Sequence, residues 1–298
     1  MPKVLYKYVR PERIDVLMSK RIRFTQPAAT NDPFELRPIF KCLVADKEFD
    51  IHVRPTQEIL EGALREQYRA LPADVRSRLS VDQLLDLVRR NPALIDLALR
   101  EAMPSIRNMV QVLTPKIRDM LSFGFGRMIG ILSLTETATN QAMWAHYADN
   151  HRGFLIGFDT SDSYFHRQQS DQDEFNHLRK VRYISRIKPT RSLIDLVGDD
   201  VFCTKGEEWA YEREWRMISP LGNELTNPPA EDAVILLDLP ASTVCEVILG
   251  ARAEPELRAG VEQCLSADPQ FSNIAARDAY ISDDASLIEI REPRLIQR

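Results

Sequence analysis

Apolar and polar positions change their period several times along the chain of 298 residues. Residues 4–8, Val-Leu-Tyr-Lys-Tyr, are β-branched and aromatic and predict a strand. Pro11 and Glu12 then open a short helix in which Ile14, Leu17 and Met18 recur at helical spacing. Ile22 and Phe24 alternate with Arg21 and Arg23, the pattern of a strand with one wet face. Thr-Asn-Asp-Pro-Phe-Glu over 30–35 reads as a turn, because Asn31 and Asp32 bond back to their own backbone and Pro33 fixes φ. From about 55 to 122 the period is helical. Ile59, Ala63, Leu64 and Tyr68 fit one face, and Leu84, Leu85, Val88, Leu94, Leu97 and Ala98 another. Pro72, Pro92, Pro104 and Pro115 are expected to divide this stretch into three or four helices.

After Gly124 and Gly126, strand character returns over 128–134, 153–158, 181–183 and 215–218. It recurs over 234–237 and 244–249, and after a helix over 254–265 it returns near 272–276 and 287–290. The fold class is therefore α+β: a split mixed or antiparallel β-core flanked by helices, with an all-helical insertion. The pattern assigns residues 1–54 and 123–298 to the core domain and 55–122 to a helical insertion or lid.

Composition narrows the classes. With 44% hydrophobic and 28% charged residues, the chain has the profile of a soluble globular protein. A net charge of −5 argues against a protein that coats nucleic acid non-specifically, though a local basic groove stays open. Cys42, Cys203, Cys245 and Cys264 form no CxxC pair and have no histidine at ligand spacing, which points to a reduced, cytoplasmic chain. The first fifteen residues lack an apolar signal core, and no run approaches 18 apolar residues, so no membrane span is expected.

Chemistry-bearing residues concentrate in four segments. Met143-Trp-Ala-His-Tyr-Ala-Asp-Asn-His-Arg-Gly153 is the densest. Within it, His146 is either a general base or ligand-orienting donor, or a buried histidine that bonds backbone and closes the turn at Gly153. His146 and His151, five apart, miss the i,i+4 spacing of helical metal ligands. In the second segment, residues 212–218 read as a strand, with Glu212, Glu214 and Arg216 on one face and Arg213, Trp215 and Met217 on the other. It is either a carboxylate site beside an arginine or a salt-bridged edge strand. The third segment is Asn31 to Glu35, whose Asp32 and Glu35 are candidate carboxylates or parts of a turn. The fourth is the basic run 179–191, with Arg179, Lys180, Arg182, Arg186, Lys188 and Arg191, either a solvated face or a phosphate contact.

These segments, in this order, resemble a bacterial family known as domain of unknown function 2971. The matching pieces are Leu5-Tyr-Lys-Tyr8, Phe24 through Asn31-Asp-Pro-Phe-Glu35, Ser133-Leu-Thr-Glu136, Met143-Trp-Ala-His-Tyr-Ala148 with Gly153, Trp209-Ala-Tyr-Glu-Arg-Glu-Trp-Arg216 and Val247-Ile-Leu-Gly250. They span about residues 3–40 and 128–290. A second resemblance is to the ADP-ribosyltransferase fold, in which a basic first-strand residue, a Ser-x-Ser strand and a late Glu-x-Glu follow one another. Here Lys7 or Arg10, Ser133-Leu-Thr135 and Glu212-Arg-Glu214 correspond. Two departures are a lysine where an arginine or histidine is usual, and Thr135 in place of the second serine.

That resemblance implies NAD as substrate, lying in the split of the sheet, and no metal. It makes Glu214 the group that binds the ribose 2′-hydroxyl and stabilises the oxocarbenium-like state, and Glu212 the group that orients or deprotonates the acceptor. Tyr147 or Tyr8 would stack nicotinamide, and His146 would fix a ribose or phosphate. Lys7, Asn31, Trp144 and Arg216 complete the expected binding set. The partner is then a nucleotide or NAD-like molecule, with a protein or nucleic acid as acceptor, and the cellular role is that of a bacterial toxin or anti-phage effector. Two other classes stay open: a Mg²⁺-dependent nuclease or phosphodiesterase using Asp32, Glu35, Glu212 and Glu214, and a non-catalytic binding module.

Overall fold

Residues Val4–Val9, where the opening apolar run lies, form strand β1 near the middle of an eight-stranded mixed sheet. The other strands are β2 (Ile129–Thr135), β3 (Phe154–Asp159), β4 (Leu178–Lys180), β5 (Glu214–Pro220), β6 (Val244–Leu249), β7 (Ala275–Ile281) and β8 (Ile288–Ile290). Their order across the sheet is β8-β7-β6-β3-β1-β2-β5-β4. This computed structural model describes residues 1–34, 40–52, 55–185, 190–222, 229–230, 233–283 and 287–292. Glu35, Arg186 and Lys188 lie outside the described residues, as does the Arg191 side chain.

Most of the sheet is antiparallel, with β6 and β7 the parallel pair. Alternation along each strand sorts side chains to two cores. On one face Leu5, Val9, Leu132, Leu134, Phe154, Ile156 and Phe158 pack with Val16 and Leu17 and with Leu257, Val261 and Leu265 of the helix Pro255–Ala267. On the other, Tyr8, Leu155 and Ile248 pack with Met143 and Trp144 of the helix Gln141–Tyr147.

The ladder is uneven in one place. β1 pairs with β3 along its whole length, from Val4↔Asp159 to Val9↔Phe154, yet it meets β2 only at Tyr6↔Thr135. β2 keeps full register with β5, from Glu214↔Thr135 to Pro220↔Ile129. The sheet is thus continuous in order but opens between β1 and β2. In that gap the Lys7 ammonium donates to the Ser133 carbonyl at 3.1 Å, a side chain standing where a ladder bond would be.

Several sequence expectations change here. Residues 212–218 are not one strand: Glu207–Glu212 is a 3-10 turn, Arg213 takes a left-handed φ of 44°, and β5 starts only at Glu214. β5 also lies between β2 and β4, so it is not an edge strand. The strand expected near 272–276 starts later, at Ala275, because Pro269–Phe271 forms another 3-10 turn. Pro104 and Pro115 do not end helices; both sit inside the helix Pro92–Met128, which also runs through Gly124 and Gly126. Each proline removes one i→i−4 bond, and the rest of that long helical ladder continues around it.

The chain divides into two compact units, Met1–Pro38 with Leu121–Lys188 and Val197–Arg298, and Ile39–Met120 with Pro189–Leu196. The second unit is therefore not one uninterrupted stretch. In it the strands Phe40–Cys42 and Thr190–Ser192 pair in parallel, and the helices Gln57–Ala70 and Val81–Arg90 are tied by Arg89 to Glu61 at 2.7 Å. Ser80 and Gln83 close a capping box at the start of Val81–Arg90. Leu94 and Leu97, expected on a buried face, are exposed.

Candidate functional site

The opening between β1 and β2 leads into a cavity of about 880 Å³, contained within the unit that carries the large sheet. β1 supplies Tyr6, Lys7 and Tyr8, β2 supplies Ser133 to Thr135, and β5 supplies Glu214. Asn31, His146, Tyr147, Lys205, Trp209, Tyr211 and Glu212 line it as well.

The helix Gln141–Tyr147 presents two of these groups because its start is fixed. Asn140 caps it through the Met143 amide at 3.0 Å, and the same side chain donates to the Tyr211 carbonyl at 3.2 Å. One asparagine therefore joins the helix to the turn that carries Glu212. At the other end, Asp149, Asn150 and His151 all take positive φ, and the chain then re-enters the sheet at Gly153. Gly153 is required by close approach, since a Cβ there would stand 2.1 Å from the Val9 carbonyl oxygen.

Behind the cavity wall is a buried network of two acids and two bases. Lys205, in the short strand Thr204–Gly206, donates to Glu212 at 2.7 Å and lies 3.4 Å from Glu214. Arg216 grips Glu214 with Nε and Nη2, both at 2.9 Å, and gives Nη1 to the Phe202 carbonyl at 3.0 Å. Lys205, Glu212 and Glu214 are each 4% exposed and Arg216 is fully buried, so the pairing is obligatory. Burial by itself raises the Glu214 carboxyl; the Arg216 guanidinium, the Lys205 ammonium and a bond from Ser133 outweigh it and hold it well below the usual carboxylate range. Lys205 also sits 4.6 Å above the Trp209 ring, and the Glu214 amide donates to the Tyr183 hydroxyl at 2.8 Å.

Tyr147 connects this network to the open cavity. Its hydroxyl donates to Glu212 Oε1 at 2.6 Å and accepts from Asn31 at 3.1 Å. Burial first, then the Glu212 hydrogen bond, pushes its phenol far up, so it stays a neutral donor. The backbone that carries Glu212 is tied by Thr135, whose hydroxyl donates to the Glu212 carbonyl at 2.6 Å.

Seven of the nine residues expected at a site line this cavity: Lys7, Tyr8, Asn31, His146, Tyr147, Glu212 and Glu214. Trp144 does not. It is fully buried, with its indole N–H on the Ala138 carbonyl at 2.8 Å and the Tyr8 ring edge-on at 5.2 Å, and it is a core residue. Arg216 is likewise absent from the lining and serves Glu214 rather than a ligand. His146 is exposed at the rim, not buried; the histidine stacked in the turn before Gly153 is His151, parallel to Trp144 at 6.1 Å. Asp32 accepts from the Phe34 amide at 2.9 Å and builds its own turn. Among the described residues, no group of three His, Cys, Asp or Glu side chains is placed to hold a metal. In the basic run, Arg179 pairs with Glu174, Lys180 with Glu136 and Arg182 with Asp200.

Lys205, Arg13 and Arg23 escape a reading of the sequence. Lys205 lies on a three-residue strand with no periodicity to mark it, Arg13 ends the 3-10 turn Pro11–Arg13, and Arg23 alternates with apolar residues as a solvated strand position does.

The fold and cavity define an α+β protein whose sheet opens onto a polar and aromatic pocket walled by a buried ion network. Residues 143–217 match the model of a family described as protein of unknown function (DUF2971), which supports the resemblance read from the sequence. The matched stretch holds His146, Tyr147, Lys205, Glu212, Glu214 and Arg216, the network side of the cavity. No curated protein and no solved structure matches the chain significantly. Among the described residues, no helix is long and apolar enough to cross a membrane.

Proposed function

We propose that this chain is an NAD-consuming enzyme of the ADP-ribosyltransferase type, working in the cavity where β1 and β2 part. The observation that carries this reading is the lining itself. Cations, tyrosine and tryptophan faces and a carboxylate pair share one cavity of about 880 Å³, a size suited to a small-molecule ligand. A dinucleotide needs all three: cations for its pyrophosphate, aromatic faces for its rings, and negative charge where the ribose becomes cationic.

Glu214, kept ionised by Arg216 and Lys205, supplies that negative charge. Among the described residues Glu212 accepts one bond at each oxygen, from Tyr147 and from Lys205, and each carboxylate oxygen has a second lone pair for a ribose hydroxyl or an acceptor proton. In the step, the bond from nicotinamide nitrogen to the anomeric carbon breaks and its electron pair leaves with nicotinamide. A lone pair of the acceptor forms the new bond to that carbon, and the acceptor's proton passes to Glu212. Water as acceptor gives plain hydrolysis.

The test is nicotinamide release from NAD by the purified full chain in the presence of EDTA. Release is expected from the wild type, with a loss of at least about 100-fold in Glu212→Gln, the scale of removing a general base. No release by the wild type with any offered protein, nucleic acid or water acceptor would overturn the reading. A toxin or anti-phage role predicts that expression of the wild type, and not of Glu212→Gln, arrests bacterial growth.

A further inference from the structure

Most of the charged side chains around the cavity are already matched. Lys205 and Arg216 hold Glu212 and Glu214, Arg13 holds Asp15 at 2.9 Å, and Arg10 stands 3.9 Å from Glu12. Lys7 and Arg23 are different: among the described residues, neither has an acidic partner at salt-bridge distance, and both line the cavity.

The position of Lys7 is unusual for a lysine. On β1, Leu5, Lys7 and Val9 share the side that faces the core, and both Leu5 and Val9 are buried there. An apolar residue would serve the fold better, because moving an ammonium out of water costs free energy. Arg23 ends the strand Arg21–Arg23, held against Leu236–Asp238, and its Nε is buried without a hydrogen-bond partner. A buried donor left unmade costs about 1–3 kcal/mol, so its retention asks for a reason. Arg23 and Arg13 also stand close enough to act on Lys7: desolvation chiefly, opposed by Glu214 and aided by these two arginines, brings the ammonium down to about 8. Like charges gathered in a desolvated wall are stabilised by an anion placed among them.

We propose that Lys7 and Arg23 form a subsite for a phosphate or pyrophosphate group, with Arg13 at its edge. This subsite rests on the dinucleotide reading above and adds to it the part of the ligand these residues take. Lys7 supplies a point charge and Arg23 a planar fork that matches phosphate oxygens. A bound anion favours the charged form of Lys7, so affinity is highest below its folded pKa and falls as pH rises through it. The pyrophosphate diester of ADP-ribose does not titrate in that window, and the groups facing Lys7 are Glu214 from β5, Arg23 and Arg13.

The experiment is calorimetric titration of the full chain with ADP-ribose, inorganic pyrophosphate and adenosine. ADP-ribose and pyrophosphate are expected to bind, with adenosine at least tenfold weaker than ADP-ribose. Lys7→Met and Arg23→Met should each weaken ADP-ribose about tenfold or more while still unfolding cooperatively, Lys7→Met at or above the wild-type midpoint. Wild-type affinity should fall between pH 7 and 9.5, and Lys7→Arg should remove that fall. Adenosine binding as tightly as ADP-ribose, folded Met variants with wild-type affinity, or a Lys7→Arg profile that still falls would each overturn the subsite. If the Met variants do not fold, the Lys7→Arg profile decides. Anion binding without nicotinamide release leaves the subsite standing and removes the enzyme reading; nicotinamide release with ADP-ribose affinity untouched in both Met variants does the reverse.

Discussion

Lys205 is the residue on which the buried network turns. Glu212 and Glu214 both approach its ammonium, at 2.7 and 3.4 Å, and all three side chains are almost wholly out of water. Lys205→Met removes the charge that keeps the two carboxylates compatible. Breaking a buried pair from one side costs ~3–5 kcal/mol, so the denaturation midpoint should drop sharply in a urea titration. Lys7 carries the opposite sign of effect. Its folded pKa, about 8, lies below the usual lysine value, so the unfolded chain binds more protons between the two values. Its burial therefore costs stability below about pH 8, and the cost fades as pH rises toward ~10.4. Lys7→Met is expected to be more stable than the wild type at pH 7 by ~1–3 kcal/mol, allowing for screening by cavity water. That difference should close near pH 10.5, as read by thermal melts across pH. Glu214 behaves as a carboxylate held low: its stabilising contribution is full above about pH 4.5 and is lost as pH falls through its native value.

At the scale of elements, the site depends on joints more than on the strands themselves. Asn140 ties the start of Gln141–Tyr147 to the Tyr211 carbonyl, so Asn140→Ala removes a helix cap and an inter-element bond together. A loss of ~1–2 kcal/mol is expected, within the range for a lost cap, with Tyr147 less firmly held against Glu212. Gly153 is the second joint. Gly153→Ala drives a methyl into the Val9 carbonyl, where β1 and β3 are paired, and backbone on both sides leaves little room to yield. A cost of ~1–3 kcal/mol, read as a lowered melting temperature, is the expected outcome. The left-handed Arg213 is the third joint: it turns the chain between the 3-10 turn and β5, and by that turn both carboxylates reach one lysine.

At the scale of the molecule, the central strands and the composition of the site were legible in the sequence. β1, β3 and β6 are short runs rich in apolar, β-branched and aromatic side chains that must leave water, and that is a local property of the chain. His146, Tyr147, Glu212 and Glu214 stand out in segments dense in polar and aromatic groups, Asn31 in a turn, and Lys7 and Tyr8 through the family resemblance; all seven line one cavity. Trp144 stood out equally, but only packing tells a core indole from a ligand platform. The sequence by itself thus determined an α+β chain, its main strands and most of the groups at the site. Tertiary structure alone decided that β1 and β2 part after a single register pair, that Lys205 bridges the two glutamates, and that Lys7 and Arg23, without an acidic partner at salt-bridge distance among the described residues, feel one another's charge. The physical reason is distance along the chain. Periodicity reports contacts within a few residues, whereas Lys7 with Ser133 and Asn31 with Tyr147 are set by long-range pairing that no local pattern encodes.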